Sequence, residues 1–318
     1  MSSADRRLAV PALDALRTGG KRAMAAALAA IETAAGSPDL ADLLDAACRD
    51  ARAATLGLTG PPGVGKSTLS NALVSGWRKA GETVGVIAID PSSRRTGGAL
   101  LGDRARISTD PTDRGVFIRS MAARDRLGGL SDQTVAAMVL MRAVYDRVLI
   151  ESVGIGQSEA DVAMVADTVV LCIQPGSGDS LQFMKAGVME LPDVIVVTKA
   201  DMGEAALRAK ADVEGALTLV TRDTGAWVAP VVLVSAATGA GLEALGEAVG
   251  AHAVWLAGTR LTERRTLQER QWVEEAIRTR FGTAGLAALP GLDARGGPFR
   301  RERAAAENLA RRLSAAGH

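Results

Sequence analysis

The residues with the clearest chemical pattern are the nine from Gly60 to Thr68, which read GPPGVGKST and fit the phosphate-loop pattern GxxxxGK[ST]. In such a loop, glycines let successive backbone N–H groups turn toward one anion. The lysine, here Lys66, reaches the outer phosphates, and the hydroxyl of Ser67 holds Mg²⁺. We therefore predict a nucleoside triphosphate site formed by Gly60, Pro61, Pro62, Gly63, Val64, Gly65, Lys66, Ser67 and Thr68.

Three carboxylates lie at the ends of predicted strands or in the loop that follows one of them. Asp90 ends one apolar run, Glu151 follows another, and the glycine-rich stretch after Asp90 brings Asp103 toward the same site. We predict that Asp90, Asp103 and Glu151 act with Ser67 on the Mg²⁺ side, and that a carboxylate positions the attacking water. Gly154 comes three residues after Glu151, where many GTPases sense the γ-phosphate through a backbone N–H.

A second group of residues indicates which base is bound. The run TKAD, from Thr198 to Asp201, is close to the guanine motif NKxD. A carboxylate at Asp201 accepts two hydrogen bonds from the guanine ring N–H and amine, a pair that adenine cannot supply. Thr198 in place of Asn removes a side-chain amide that braces the phosphate loop. We predict GTP or GDP as the ligand, with contacts from Thr198, Lys199, Asp201, Ser235, Ala236 and Ala237.

Elements of secondary structure must position these residues, and a pattern of short apolar runs predicts which elements they are. The runs are rich in branched residues, alternate with helical segments, and predict a mostly parallel sheet with helices on both faces. Their near-continuous hydrophobicity is typical of strands buried on both faces. They cover residues 55–59, 84–89, 116–118, 148–150, 169–173, 194–197 and 231–234.

Helical segments surround this core and define the predicted domains. We expect an N-terminal helical extension over 1–53, a phosphate-loop domain over 54–258, and a C-terminal helical arm and tail over 259–318. Ser37 before Pro38 is a good helix start. Within the arm, Val273, Ile277 and Phe281 form a narrow apolar line that packs on its own domain or on a second subunit.

Composition excludes several other classes of protein. There are 37 basic and 36 acidic side chains, so the net charge of +1 predicts no general attraction to nucleic acid or anionic membrane. Cys48 and Cys172 lack CxxC spacing, which favours a reduced, cytoplasmic setting. The sequence also shows no secretory signal and no apolar run of membrane-spanning length.

Taken together, the motifs resemble the methylmalonyl-CoA mutase-associated GTPases of the MeaB and ArgK type, within the SIMIBI class of phosphate-loop proteins. The resemblance covers residues 15–257 and is most specific in GPPGVGKST, IDPSSRRTGGALLGDRARI, VFIRSMAARDRLGGL, ESVGIGQSE and PGSGDSLQFMKAGVMELPDVIVVTKAD. Asp125 and Arg126 depart from the Gly and His of the family pattern.

The resemblance implies a GTP-hydrolysing chaperone of an adenosylcobalamin-dependent acyl-CoA mutase. Such a protein gates cofactor loading and protects or reactivates the mutase. Carried over by position, Glu151 is the switch acid, and the loop from Pro175 to Lys185 is a third switch in which Lys185 stimulates hydrolysis. The resemblance also implies a homodimer through the C-terminal arm and contact with a cobalamin adenosyltransferase.

The residues also leave two other functional hypotheses open. A metal-insertion GTPase chaperone of related fold would be expected to carry His-rich tracts or thiol pairs. Here His252 and His318 are isolated, and the two cysteines lie far apart in sequence. A phosphate-loop kinase would need an acceptor site, and no motif in the sequence indicates one.

Overall fold

The computed structural model describes residues 10–90, 110, 112–122, 130–152, 158–176, 191–218, 225–289 and 296–316. These residues form two compact units. One comprises the described residues within Ala54–Ser131 and Tyr145–Thr262, and the other those within Met1–Ala53, Asp132–Val144 and Glu263–His318.

The first unit is built on a parallel sheet. Its described strands are β1 (Ala54–Thr59), β2 (Val84–Asp90), β3 (Val116–Ala122), β4 (Arg147–Glu151), β5 (Thr168–Ile173), β6 (Val194–Val197) and β7 (Val231–Leu233). Their order across the sheet is β3-β2-β4-β1-β5-β6-β7, and every pair is parallel. All seven predicted runs are strands, so the predicted sheet is confirmed.

Helices cover both faces of this sheet. The described ones are α4 (Lys66–Lys79), α6 (Ser158–Ala163), α7 (Glu204–Leu217) and α8 (Leu242–Leu256). Alternate strand residues face opposite ways. Val170 and Cys172 pack in one cluster with residues of α4 and α8, whereas Leu171 and Ile173 pack in another with residues of α7. All residues of β5 and β6 are therefore buried, as the continuous apolar runs predict.

The register of the strands brings the predicted site to one edge of the sheet. Leu58 of β1 lies opposite Glu151 of β4, and Thr59 lies opposite Leu171 of β5. Ile173 of β5 lies opposite Val197 of β6. Since all strands run the same way, their carboxyl ends meet at this edge, where ligands of such sheets bind.

The second unit is helical. It contains α1 (Leu13–Thr18), α2 (Gly20–Thr33), α3 (Pro38–Arg49), α5 (Asp132–Val144), most of α9 (Thr259–Ala287) and α10 (Pro298–Ala316). The Ser37 side chain accepts a hydrogen bond from the Leu40 N–H at 3.3 Å and caps α3, as expected. Non-helical backbone at Gly282, with φ of 73°, divides α9 into two helical parts.

Tertiary contacts in this unit join helices that are distant in sequence. The carboxylate of Asp45 on α3 accepts hydrogen bonds from the backbone N–H groups of Phe299 and Arg300 at the start of α10. The helix α5 belongs to this unit although it lies between β3 and β4 in sequence, a grouping that the sequence pattern did not indicate. Among the described helices, none combines the length and hydrophobicity needed to span a bilayer.

Candidate functional site

Glycine backbone geometry shapes the phosphate loop between β1 and α4. Gly60, Gly63 and Gly65 have φ of 132°, 75° and 102°, values that residues with a Cβ rarely adopt. At Gly60 an added Cβ would also lie only 2.1 Å from the Cys172 carbonyl oxygen. The loop therefore needs glycine at position 60 for both backbone conformation and space.

The Lys66 side chain folds back under this loop. Its ammonium group donates to the carbonyl oxygens of Gly60 at 2.7 Å and Pro61 at 3.0 Å, and the residue is only 7% exposed. These bonds hold a buried positive charge at the loop. A positive charge in this place, together with the N-terminus of α4, attracts phosphate.

The Glu151 carboxylate at the end of β4 lies against the first turn of α4. It accepts a hydrogen bond from the Ser67 hydroxyl on Oε1 at 2.6 Å and one from the Ser70 hydroxyl on Oε2 at 2.6 Å. Glu151 and Ser70 are both buried. Sequence reasoning predicted Ser67 and Glu151 together but missed Ser70. Its spacing of three residues from Ser67, which puts both on one helix face, was the available signal.

The chemistry of this pair fits Mg²⁺, the ion that the family resemblance implies. A hydroxyl and a carboxylate are the hard oxygen ligands that Mg²⁺ prefers. Among the described residues, no group of three or more His, Cys, Asp or Glu could form a metal site. Mg²⁺ commonly uses one or two protein ligands together with substrate phosphates, so Ser67 and Glu151 are a suitable pair.

The Thr198 side chain braces the phosphate loop from the end of β6. Its hydroxyl lies 2.7 Å from the Val64 carbonyl oxygen and 2.9 Å from the Ile173 carbonyl oxygen, within donating distance of both. Thr198 is 5% exposed. Thr198 lacks the side-chain amide of the guanine motif, as the sequence indicated, but its hydroxyl contacts a carbonyl group of the loop and so supplies a different side-chain brace.

Lys199 connects the same loop to the end of β5. Its ammonium donates to the Gln174 side-chain oxygen at 2.6 Å and to the Gly63 carbonyl oxygen at 3.3 Å. Lys199 has φ of 53° and is the only described non-glycine residue with positive φ. Such backbone strain persists where surrounding contacts impose it. Gln174 was not predicted; its position at the carboxyl end of β5 was the signal.

Asp201 is placed to present its carboxylate to a ligand. It is exposed, and a hydrogen bond from the Ser235 side chain lowers its pKa, so the carboxylate stays ionised. The Ala200 N–H donates to the Val234 carbonyl oxygen at 3.2 Å, which ties this loop to the segment carrying Ser235. Ala236 is partly exposed and Ala237 exposed in the same segment.

Other predicted site residues are described in part or not at all. Asp90 ends β2 at the carboxyl edge of the sheet, and its side chain lies outside the described residues. Asp103, Gly154 and Lys185 also lie outside them, as does most of the loop from Pro175 to Lys185. The roles assigned to all these residues stay predictions.

Comparison with known proteins shows which family this chain resembles. The family model described as "Methylmalonyl Co-A mutase-associated GTPase MeaB" matches residues 24–287. Among curated relatives, GTPase ArgK of Escherichia coli is 35% identical over 269 residues, covering 82% of this chain and 81% of its own length. A protein of Pyrococcus abyssi named as a GTPase is 46% identical over 229 residues, covering 70% of this chain and 69% of its own.

A mammalian relative and the solved structures extend the comparison. The mitochondrial methylmalonic aciduria type A homolog of Mus musculus is 37% identical over 227 residues, which are 70% of this chain and 54% of that protein. The structure titled LAO/AO transport system kinase has a TM-score of 0.67 and 27% identity, and the match covers 95% of this chain and 96% of that one. HypB from Helicobacter pylori with nickel, at 17% identity and a TM-score of 0.50, shows the fold alone. The chain belongs to the MeaB family.

Proposed function

We propose that this member of the MeaB family hydrolyses GTP and couples its nucleotide state to an adenosylcobalamin-dependent acyl-CoA mutase. The family description supports the association with methylmalonyl-CoA mutase. The observation that carries the nucleotide part is the meeting of three elements at one sheet edge: the phosphate loop after β1, Glu151 on β4, and the Thr198–Asp201 segment after β6.

Lys66 binds and stabilises the transferred phosphoryl group in this proposal. Its ammonium lies beneath the loop, on the carbonyl groups of Gly60 and Pro61. Phosphoryl transfer depends mainly on positioning and on stabilising the charge that develops on the phosphate oxygens. A positive charge held beforehand at the loop meets this requirement.

Ser67 and Glu151 would hold Mg²⁺, with Asp90 and Asp103 as further carboxylates of that site. When bound, Mg²⁺ neutralises negative charge on the β- and γ-phosphate oxygens. The Ser67–Glu151 hydrogen bond of 2.6 Å keeps these two oxygen groups together at the N-terminus of α4.

Asp201 selects the base. Its carboxylate accepts from the guanine ring N–H and exocyclic amine, while a hydrogen bond from Ser235 lowers the pKa of this carboxylate. The backbone of Ser235, Ala236 and Ala237 meets the guanine oxygen. Adenine lacks the matching pair of donors, so ATP should bind much more weakly than GTP.

The mutase distinguishes the nucleotide states by contacting segments of this chain that respond to the γ-phosphate. We assign this role to Gly154 and to the loop from Pro175 to Lys185, in which Lys185 enhances hydrolysis when the mutase is bound. The chain would act as a homodimer in the cytoplasm through its C-terminal arm, and a cobalamin adenosyltransferase would supply the cofactor that it gates.

The direct test measures GTP hydrolysis by the purified protein with and without candidate acyl-CoA mutases. We expect slow basal hydrolysis, a faster rate with the matching mutase, and a shift in the affinity of that mutase for adenosylcobalamin. A Lys185→Ala variant should lose the stimulated rate more than the basal one. Absence of both stimulation and the affinity shift with every mutase would refute the coupling, and equal loss of both rates would remove the role of Lys185.

A further inference from the structure

Ser70 contacts the switch acid from a position outside the phosphate-loop pattern. It lies three residues after Ser67 on α4, has no exposed surface, and donates to Glu151 Oε2 at 2.6 Å. The two oxygens of Glu151 are therefore held separately: Oε1 by the hydroxyl that would accompany Mg²⁺, and Oε2 by a hydroxyl one helical turn away.

The type of acid explains why a second contact matters. Glutamate has one more methylene group and one more rotatable bond than aspartate, so its carboxylate can take more positions relative to the strand that carries it. A single hydrogen bond from Ser67 leaves rotation about the carboxylate open. A second donor on the other oxygen fixes both the position and the plane of the group.

We propose that Ser70 is a positioning residue that orients the Glu151 carboxylate toward Mg²⁺ bound with the nucleotide. This inference rests on the proposed GTP and Mg²⁺ function of the same site. Ser70 would act through Glu151, in the way that hydrogen-bonding partners of metal ligands orient them and tune metal affinity. Removal of such a partner lowers metal affinity or activity about 10–100-fold.

The competing explanation is that the Ser70 hydroxyl only satisfies a buried carboxylate and stabilises the packing of α4 on β4. The two explanations differ in their dependence on Mg²⁺. A packing role weakens nucleotide binding equally with and without the ion. A positioning role leaves nucleotide binding in EDTA unchanged and alters only the concentration of Mg²⁺ needed to retain the nucleotide.

The experiment measures release of a fluorescent GDP analogue from the full-length protein as Mg²⁺ is titrated, which requires no hydrolysis. For Ser70→Ala we expect the Mg²⁺ concentration giving half-maximal slowing of release to rise about 10–100-fold. Ser75→Ala is the control on the same helix, since Ser75 is exposed, and it should behave as the parent protein.

A matched pair separates the hydroxyl group from side-chain volume. Ser70→Thr and Ser70→Val add similar bulk to a buried position, but only threonine keeps the hydroxyl. We expect threonine to retain a Mg²⁺ dependence close to that of the parent and valine to show the weakened dependence of alanine. The pair also provides the comparison if the alanine variant is poorly folded.

Several results would overturn the inference. Parental Mg²⁺ dependence in both the alanine and valine variants would exclude a positioning role. Equal acceleration of release in EDTA and in saturating Mg²⁺ would assign Ser70 to packing alone. If release from the parent itself did not respond to Mg²⁺, the proposed function of the site would fail, and the inference with it; a parent that responds while its variants do not differ refutes the inference alone.

Discussion

Replacement of Thr198 by valine tests whether the hydroxyl brace sets the shape of the phosphate loop. The two side chains have nearly the same volume, but valine cannot donate to the Val64 carbonyl oxygen, which lies 2.7 Å from the threonine hydroxyl. The Ile173 carbonyl oxygen keeps a donor, because it also accepts from the Thr198 backbone N–H at 2.8 Å. The loss therefore falls mainly on Val64.

The magnitude follows from the burial of these groups. Thr198 is 5% exposed and Val64 has no exposed surface, so water cannot readily replace the missing donor. A buried acceptor left without its partner costs about 1–3 kcal/mol. We expect Thr198→Val to lower the free energy of unfolding by this amount. If the braced loop is needed only when nucleotide is bound, the loss appears instead in GDP affinity, at about tenfold for each 1.4 kcal/mol.

Urea unfolding followed by tryptophan fluorescence and titration with a fluorescent GDP analogue measure the two effects. Thr198→Ser keeps the hydroxyl and should retain most of the GDP affinity. Thr33→Val is the control for loss of a solvent-exposed hydroxyl, since Thr33 bonds only within its own helix at 3.0 Å. A Thr198→Val protein within about 0.5 kcal/mol of the parent, the range of ordinary surface substitutions, and with parental GDP affinity would refute the brace.

Three further predictions address the base site, the loop and the thiols. Asp201→Asn should weaken GDP binding and favour xanthosine diphosphate, because the amide can donate to the extra xanthine oxygen; competition titrations would detect this exchange. Gly60→Ala should lower the unfolding midpoint more than Gly63→Ala, since an added Cβ lies 2.1 Å from a backbone oxygen at Gly60 but meets nothing within 4 Å at Gly63; equal midpoints would contradict the clash. Burial raises the pKa of Cys48 and Cys172 to about 12, so both should react slowly with thiol reagents at pH 8; Cys172, which has no exposed surface, should resist them until the protein unfolds, whereas Cys48 is partly exposed and should react sooner. The stabilisation from keeping these thiols protonated should be complete below about pH 8.5, the pKa of an unfolded thiol. The free energy of unfolding should then fall as the pH rises toward 12, because the thiols ionise in the unfolded protein before they ionise in the folded one. Unfolding midpoints measured across this pH range would show the fall.

Strand positions were predictable because parallel strands buried on both faces must be apolar almost throughout. The run that forms β5 is an example, with every residue buried. The pattern was weaker at the sheet edge, where β3 extends to Ala122 although its predicted run ended at Ile118. Arg119 and Ser120 interrupt the apolar run, and an edge strand with partly exposed residues tolerates such side chains.

Contacts between segments distant in sequence were harder to predict. The spacing of the motifs indicated that Glu151 and Ser67 share a site, but no motif includes Ser70, and its role depends on which face of α4 meets β4. Likewise, when motifs alone are compared, Thr198 in place of Asn indicates only the loss of a side-chain amide. Its hydroxyl reaches the Val64 carbonyl only because β6 ends beside the phosphate loop. Such distances depend on tertiary packing, which local residue patterns do not encode.

The buried position of Lys66 affects how much nucleotide binding can gain from its charge. Moving an ammonium group out of water is costly unless it is paired with hydrogen-bond acceptors. Here the carbonyl groups of Gly60 and Pro61 already provide acceptors, so this desolvation occurs when the protein folds and not when GTP binds. A phosphate that approaches the loop therefore meets a cation already held in place and poorly hydrated. Preorganised charges of this kind stabilise a transition state more effectively than charges that must first lose water, because little reorganisation remains for the reaction step.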